Sequence, residues 1–233
     1  MRTVAVIQAR LGSSRLPCKS LLCLGEKPLI DWVVERTARS HLLDDVVVAC
    51  PDTDLDDVLC DHLDKRHVNV VRGPEQDVLA RFVLAAEKYR ADQVVRICAD
   101  NPFVWWEAID RLIRFHAQGS SDYSYNHVPK GNLWPDGLGA EIVSMDLLRR
   151  LAYEAKDPQQ REHCLNYVWD NQELFRTATF DPEEEWLQRP DIRLDIDTVQ
   201  DFRNMSRLAV SADAQARELV AWYDAQCNIR RSK

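Results

Sequence analysis

Short apolar runs alternate with segments of helical periodicity along the first half of the chain. Runs rich in β-branched residues occupy residues 3–8, 46–49, 68–71 and 94–97, and each has the length and composition of a buried strand. Amphipathic patterns predict helices over residues 30–39, 55–65, 78–89 and 107–115. Because strand and helix alternate, we predict a mainly parallel, twisted sheet flanked by helices on both faces, in a single α/β domain.

The pattern is less regular in the second half. It predicts strands at residues 122–126, 140–143, 175–180 and 192–194, a loop at 130–139, and helices at 144–155 and 212–226. Thr198, with Asp201 three residues later, is typical of the first turn of a further helix.

Composition narrows the class of protein. The 233 residues are 45% hydrophobic and 29% charged, with a formal net charge of -8. This acidic balance argues against general nucleic-acid binding, which needs a broad basic surface. No run approaches the roughly 20 apolar residues of a membrane span, and none resembles a signal peptide. The seven scattered cysteines form no C-x-x-C pair. We expect a cytoplasmic, reduced protein with no membrane or nucleic-acid partner.

One basic loop departs from this acidic balance. The first twenty residues contain Arg2, Arg10, Arg15 and Lys19 but no acid. Three of these cations lie on a Gly/Ser loop directly after the first strand, where backbone N–H groups and cationic side chains can converge on a polyphosphate. The loop is neither a Walker A sequence nor a G-x-G-x-x-G turn. Its spacing alone therefore also allows a surface loop with solvated charges.

Two carboxylates are predicted at strand ends. Asp100 follows the strand at 94–97, and Asp197 follows the one at 192–194. Ligands of open α/β sheets bind beyond the carboxyl ends of strands, and two carboxylates there could hold one or two Mg²⁺ ions. Each has a simpler explanation, since Asp100 could be a turn residue and Asp197 a helix cap. A further acidic group is predicted to be a solvated helix start: Asp52, Asp54, Asp56 and Asp57.

Residues 6–10 and 15–21 resemble the pattern I-x-A-R-x-x-S-x-R-L-P-G-K-x-L. It is the signature of the CMP-sugar synthetase group of nucleotidyltransferases, and above all of its SpsF-like cytidylyltransferases, which are related to CMP-KDO synthetase. Cys18 stands where that pattern has Gly, so a positive φ there would strain it and could alter the shape of the loop.

Further stretches resemble the same family in order, over roughly residues 3–208. Residues 70–81 resemble R-G-x-x-x-D-V-L-x-R, residues 96–103 resemble R-x-T-G-D-C-P-L, and residues 135–141 resemble P-D-G-L-D-V-E. Residues 161–163 match R-E-H, and residues 194–202 resemble L-x-V-D-T-x-x-D-F. Ala99 replaces a Gly of these patterns and Gly139 replaces an Asp, which bears on acceptor specificity.

The resemblance implies a nucleotide-diphospho-sugar transferase fold of the GT-A-like, Rossmann type. It implies Mg²⁺-dependent transfer of a cytidylyl group from CTP to a small anionic acceptor, such as an acidic sugar for a surface polysaccharide, by a homodimer. Within the single domain at 1–233 it suggests a nucleotide-binding half (1–120), an acceptor-binding half (121–210), and a C-terminal helix and tail (211–233).

Residue roles follow from the same resemblance. Arg10, Lys19 and Asp100 would be catalytic, and Asp100 and Asp197 would bind the metal. The nucleotide would contact Ala9, Arg10, Leu11, Gly12, Ser13, Arg15, Lys19, Arg72, Gly73, Asp77, Val78 and Ala99. The acceptor would contact Asp136, Gly137, Glu141, Arg161, Glu162 and His163, unless these residues only tie the second half together.

Two other functions stay open from the residues. A glycosyltransferase of similar fold is one, because Asp195-Ile196-Asp197 also reads as D-x-D, although such an enzyme needs no triphosphate loop. A nucleotide-binding module without catalysis is the other, although both carboxylates are present.

Overall fold

The computed structural model describes residues 1–207 and 210–231, with side chains described through residue 226. The strands are β1 (Thr3–Gln8), β2 (Cys23–Leu24), β3 (Lys27–Pro28), β4 (Asp45–Pro51), β5 (Asn69–Gly73), β6 (Gln93–Cys98), β7 (Tyr123–Tyr125), β8 (Glu141–Ser144) and β9 (Thr177–Thr179). β2 and β3 form a small hairpin, and the other strands form one sheet in the order β5-β4-β1-β6-β8-β7-β9.

Helices cover both faces of this sheet. In the described part of the chain they are α1 (Leu29–Thr37), α2 (Asp57–Lys65), α3 (Val78–Lys88), α4 (Trp106–Gln118), α5 (Met145–Glu154), α6 (Pro158–Glu162), α7 (Asn166–Asp170), α8 (Val199–Met205) and α9 (Ala216–Arg231). None of them is long and apolar enough to cross a membrane.

The continuous apolar character of β1 follows from burial on both sides. Val4 and Val6 belong to one core with residues of α3 and α5, whereas Ala5 and Ile7 belong to a second core with residues of α1, α2 and α4. Successive side chains of a strand point to opposite faces, so a strand covered on both faces is apolar throughout. A third core holds Trp105 and packs residues of α9 together with residues of α1 and α4.

Parallel pairing sets the position of the site. β1 lies between β4 and β6 and runs parallel to both, and β5 is parallel to β4. The carboxyl ends of these strands therefore share one edge of the sheet, which carries the loop after β1 and Asp100 after β6. β8 is antiparallel to β6, so its first residue, Glu141, comes back to the same edge, where it pairs with Arg96.

The first-half strands and helices confirm the sequence prediction, as does the mainly parallel α/β sheet. The strand predicted at 192–194 was wrong, because that segment makes only a single bridge between Asp136 and Arg193. The closing helix begins at Ala216 rather than at residue 212, and α6 and α7 were not predicted. Residues 208 and 209 of the acceptor half, and 232 and 233 of the predicted tail, lie outside the described residues.

Candidate active site

The loop after β1 folds back on itself. The Leu11 carbonyl accepts hydrogen bonds from the N–H groups of Ser13 (2.8 Å) and Cys18 (3.1 Å), which closes the loop at its base. Within the described part of the chain, the backbone N–H groups of Gly12 and Ser14 have no acceptor. Unpaired amides on a tight loop attract anions. Ala9 and Leu11 have buried side chains, and their backbone N–H groups already donate to the Ala49 carbonyl and to Asp56.

Cys18 adopts the left-handed conformation, with φ 56° and ψ 23°. A residue with a Cβ pays about 1–2 kcal/mol there, which glycine avoids. The strain expected from the Cys-for-Gly replacement is therefore present. The backbone nevertheless takes the conformation that suits glycine and leads directly into a short 3₁₀ turn, Lys19–Leu21.

Asp56 holds the backbone of this loop in place. One carboxylate oxygen accepts the Leu11 N–H at 2.8 Å, and the other accepts the Thr53 hydroxyl at 2.7 Å. The prediction of a solvated Asp56 was wrong, because the residue is only 1% exposed. A Thr three residues ahead of an Asp was the available sequence signal, but the contact to Leu11 spans 45 positions.

Asp100 and Asp197 meet in the tertiary structure. The Ile196 N–H donates to the Asp100 carbonyl at 2.8 Å, which joins the two segments through their backbones. The Lys19 ammonium then lies between the carboxylates, with Nζ 3.0 Å from Asp100 Oδ2 and 3.0 Å from Asp197 Oδ1. Burial alone would lower the pKa of Lys19, but the two carboxylates raise it above its ordinary value.

Asp197 faces cations and does not cap a helix. Arg15 Nη1 lies 3.0 Å from Asp197 Oδ2, and an Arg193 nitrogen lies 3.5 Å from the same oxygen. The cap of α8 is Thr198, which forms a reciprocal capping box with Asp201. The simpler explanation of Asp197 as a helix cap is therefore wrong.

The donor set fits a divalent cation. Asp100 and Asp197 offer hard oxygen ligands, and the Lys19 ammonium already occupies the position of a cation between them. Within the described residues, no group of three or more His, Cys, Asp and Glu is arranged around one metal position. Mg²⁺ commonly takes one or two carboxylates and completes its shell with substrate phosphates and water.

These groups line one cleft of about 190 Å³. Among its lining residues are predicted site residues: Arg10, Ser13, Arg15, Lys19, Ala99, Asp100, His163 and Asp197. Sequence reasoning gave no role to the others: Gln8, Ser14, Ser20, Arg96 and Cys98. Four cations face the cleft from two places, three from the loop after β1 and Arg96 from β6.

The predicted nucleotide residues in and after β5 lie outside this lining. Arg72 forms ion pairs with Asp57 (2.6 Å) and Asp52 (3.1 Å). Gly73 allows close helix packing, because a Cβ there would lie 2.8 Å from Arg81 Cγ. Val78 is fully buried in the core.

Asp77 and Arg161 bind each other. Asp77 caps α3 by accepting the Ala80 N–H at 2.9 Å, and its second oxygen accepts from Arg161 Nε at 2.7 Å. Arg161 also donates to the Ala152 and Ala155 carbonyls, at 2.9 Å each. A predicted nucleotide residue and a predicted acceptor residue thus form one structural link between the two halves.

Other predicted acceptor residues occupy different surroundings. Glu162 pairs with Arg10 at 3.0 Å, and Glu141 is only 2% exposed and lies behind Arg96. Gly137 has φ 92°, a conformation that favours glycine. The pKa of Asp136 is raised to about 6 by burial and by the neighbouring Asp195 carboxylate.

Gly139 is explained by packing. A Cβ at this position would lie 2.1 Å from the Asn126 carbonyl oxygen. Asn126 in turn accepts the Ala140 N–H and donates to the Ala108 carbonyl. The glycine that replaces the Asp of the family pattern therefore lets β7 and the segment before β8 approach closely.

Comparison with known proteins places the chain in a family. A family model described as cytidylyltransferase matches residues 4–227. The chain belongs to the cytidylyltransferase family. It is 35% identical over 224 residues to the spore coat polysaccharide biosynthesis protein SpsF of Bacillus subtilis, covering 92% of this chain and 91% of SpsF. It is 33% identical over 114 residues to 3-deoxy-manno-octulosonate cytidylyltransferase of Pelobacter propionicus, covering 49% of this chain and 44% of that protein.

Solved structures share the cytidylyltransferase fold. A cytidylyltransferase from Leptospira borgpetersenii superposes with a TM-score of 0.87 at 27% identity, covering 98% of this chain and 96% of that one. CMP:2-keto-3-deoxy-manno-octonic acid synthetase complexed with CTP gives 0.66 at 18% identity, covering 89% and 98%. Rv0371c from Mycobacterium tuberculosis H37Rv in complex with manganese gives 0.62 at 16% identity, covering 90% and 100%. This cytidylyltransferase is a nucleotidyltransferase enzyme.

Proposed function

We propose that this enzyme transfers the cytidylyl group of CTP to a small anionic acceptor and releases pyrophosphate, with Mg²⁺ as its metal. The observation that carries the proposal is the placement of Lys19 between Asp100 and Asp197, beside a loop with two more cations. Two carboxylates for a divalent metal and three cations for a polyphosphate are what a nucleoside triphosphate requires.

The reaction is a displacement at the α-phosphorus. A bond forms between an acceptor oxygen and the α-phosphorus, the bond from the α-phosphorus to the bridging oxygen breaks, and pyrophosphate leaves with that electron pair. Where the attacking oxygen belongs to a hydroxyl group, its proton passes to water. Such transfer depends mainly on positioning and charge stabilisation. Arg10, Arg15 and Lys19 would hold the outer phosphates, where charge accumulates as pyrophosphate leaves.

The metal would be held by Asp100 and Asp197, and when bound it would neutralise phosphate charge in the transition state. Lys19 contacts one oxygen of each of these carboxylates. With a metal held by the same two residues, the Lys19 ammonium would be available to pair with a phosphate. Manganese in Rv0371c and CTP in the octonic acid synthetase support a divalent metal and this nucleotide.

The glycosyltransferase alternative is weakened by Asp195. Both carboxylate oxygens of Asp195 accept from Arg193, at 2.5 and 2.6 Å, and Asp195 does not line the cleft that holds Asp197. Although Arg193 also lies 3.5 Å from Asp197, only Asp197 of the two acids in the D-x-D sequence lines the cleft. The non-catalytic module is not supported, because the chain belongs to a family of nucleotidyltransferase enzymes.

Pyrophosphate release tests the proposal. The enzyme is incubated with each of the four nucleoside triphosphates, Mg²⁺ or Mn²⁺, and a panel of sugar acids that includes 3-deoxy-manno-octulosonate. We expect release with CTP and at least one acid, and loss of release in Asp100→Asn. Tight CTP binding without release on any acceptor of the panel would contradict the proposed transfer. A homodimer and a cytoplasmic location stay predictions, and size-exclusion chromatography checks the first.

A further inference from the structure

Arg96 is the cation of the cleft that does not come from the phosphate loop. It lies in β6, opposite Glu141 of β8 in the sheet register, and lines the cleft with Lys19 and Asp100. The other three cations follow β1 and pair with the metal-binding carboxylates or with Glu162. Arg96 thus pairs with the second half of the chain through Glu141 of β8.

The charge partner of Arg96 is Glu141, which is held in place by neighbouring side chains. Glu141 accepts hydrogen bonds from Arg96 Nη1 and from the Tyr123 hydroxyl, the latter at 2.5 Å. His127 Nε2 lies 3.7 Å from the same carboxylate. With Glu141 almost fully buried, this pair cannot rearrange in the way that the surface pair of Arg10 and Glu162 can.

Arg96 keeps donor capacity that the protein does not use. Its Nε–H has no acceptor among the described residues, and Nη2 makes only a long 3.4 Å contact with Gln8 Oε1. A guanidinium carries five N–H donors in a planar fork that matches a carboxylate or a phosphate. A cation this well held, which lines a substrate cleft and keeps a buried Nε–H without a partner among the described residues, suits recognition of a fixed anionic group.

We infer that Arg96 is a specificity-determining residue that binds the oxyanion of the acceptor, and that Glu141 is the residue that positions it. This inference rests on the proposed function and deepens it. With CTP and its metal in place, the loop cations are engaged with phosphates, which leaves Arg96 for the second substrate. Glu141 then acts through Arg96 instead of touching the acceptor.

Binding titrations that need no turnover test the inference. Wild-type enzyme and Arg96→Gln are titrated with glucuronate, glucose 1-phosphate and glucose, with and without saturating α,β-methylene-CTP and Mg²⁺. In the wild type we expect at least one charged probe to bind at least tenfold more tightly than glucose. In Arg96→Gln we expect that preference to fall below twofold, with affinity for the nucleotide analogue within threefold of the wild type. Tighter binding of glucuronate would show that Arg96 recognises a carboxylate, and tighter binding of glucose 1-phosphate would show that it recognises a phosphate.

Two further variants control for nonspecific effects of losing an arginine and for failure of the Arg96 variant to fold. Arg111→Gln removes a partly buried arginine outside the cleft, paired with Glu184 at 2.7 Å, and should keep the full preference. If Arg96→Gln does not fold, the double variant Arg96→Gln/Glu141→Gln removes both buried charges and should show the same loss.

Three results would overturn the inference. They are a wild type that does not distinguish charged from neutral probes, an Arg96 variant that keeps the preference within twofold, or one that loses nucleotide affinity more than tenfold. Failure of the proposed function itself would show separately, as absence of analogue binding or of pyrophosphate release.

Discussion

Arg161 and Asp77 form an ion pair across the cytidylyltransferase fold, with Nη2 of one 2.5 Å from Oδ2 of the other. The sequence resemblance placed them on different substrates, but here each is the other's partner, 84 positions apart. The pair fastens α6 to the first turn of α3, and α3 packs against the sheet that carries the site. We therefore expect this ion pair to stabilise the folded protein.

Loss of Arg161 should destabilise the protein. Arg161→Ala removes the ion pair and two hydrogen bonds to carbonyl groups, so we expect a decrease of about 1–3 kcal/mol in the free energy of unfolding. A double-mutant cycle with Asp77→Ala, followed by urea denaturation, should give a coupling energy of about 1 kcal/mol. The more exposed pair of Arg176 and Asp122 is the matched control, with a smaller expected coupling. Additive effects of Arg161→Ala and Asp77→Ala would contradict the link.

The metal should depend on Asp100. We expect Asp100→Asn to keep the fold and to lower turnover at least about tenfold, a barrier increase on the order of 1.4 kcal/mol. The reason is the loss of one of two carboxylates that face the same cation position. Turnover is measured against Mg²⁺ concentration, with Asp122→Asn as a control away from the cleft. Unchanged turnover at saturating Mg²⁺ would falsify the assignment.

The phosphate loop should distinguish CTP from CMP. Lys19→Ala and Arg15→Ala should each weaken CTP much more than CMP, because the lost contacts are to the outer phosphates. Charge-assisted hydrogen bonds are worth roughly 1.5–3 kcal/mol each. Calorimetric titration of both nucleotides measures this, and Arg39→Ala provides a control on a cation outside the loop. Equal losses for the two nucleotides would sink the role of this loop in holding the outer phosphates.

Cys18→Gly should stabilise the protein or leave its stability unchanged. Relief of the left-handed strain gains about 1–2 kcal/mol, and the extra freedom of glycine in the unfolded chain costs about 0.4–1 kcal/mol. Cys18→Val should destabilise, since a β-branched residue tolerates φ 56° poorly. Thermal unfolding of the three proteins ranks them, and a more stable Val variant than Gly variant would be the opposite result.

The stability of the metal-free protein should depend on Asp136. Its folded-state pKa of about 6 lies above the usual 3.8, so the folded protein holds this proton more tightly than the unfolded chain does. Stability from this group is therefore present at acidic pH and lost as pH rises through about 6.

Asp136→Asn should accordingly be more stable than the wild type at pH 7, by roughly 1–2 kcal/mol after allowing for solvent screening. The difference should vanish below about pH 4, where the carboxyl is protonated in both states. Urea denaturation in EDTA at several pH values measures it. A pH-independent difference would show that the substitution acts through packing instead.

The local pattern of apolar residues determined much of the fold. β-branched runs and helical periodicity located the first-half strands and helices, because burial on both faces leaves a continuous apolar signature in each strand. The sequence also revealed the basic loop that ends at Lys19, because its cations lie close together along the chain. The strand prediction at 192–194 was wrong because a segment of three residues, two of them apolar, can form a single β-bridge without forming a ladder of strand hydrogen bonds.

Only the tertiary structure decided which charges face the cleft. Arg96 and Glu141 meet through the antiparallel register of β6 and β8, and Asp56 reaches Leu11 across the sheet edge. Neither contact has a local signal, because the burial of a polar side chain depends on partners supplied by distant segments. The sequence by itself determined the family and the first-half strands and helices, whereas packing decided which charged residues face the cleft and which pair with one another.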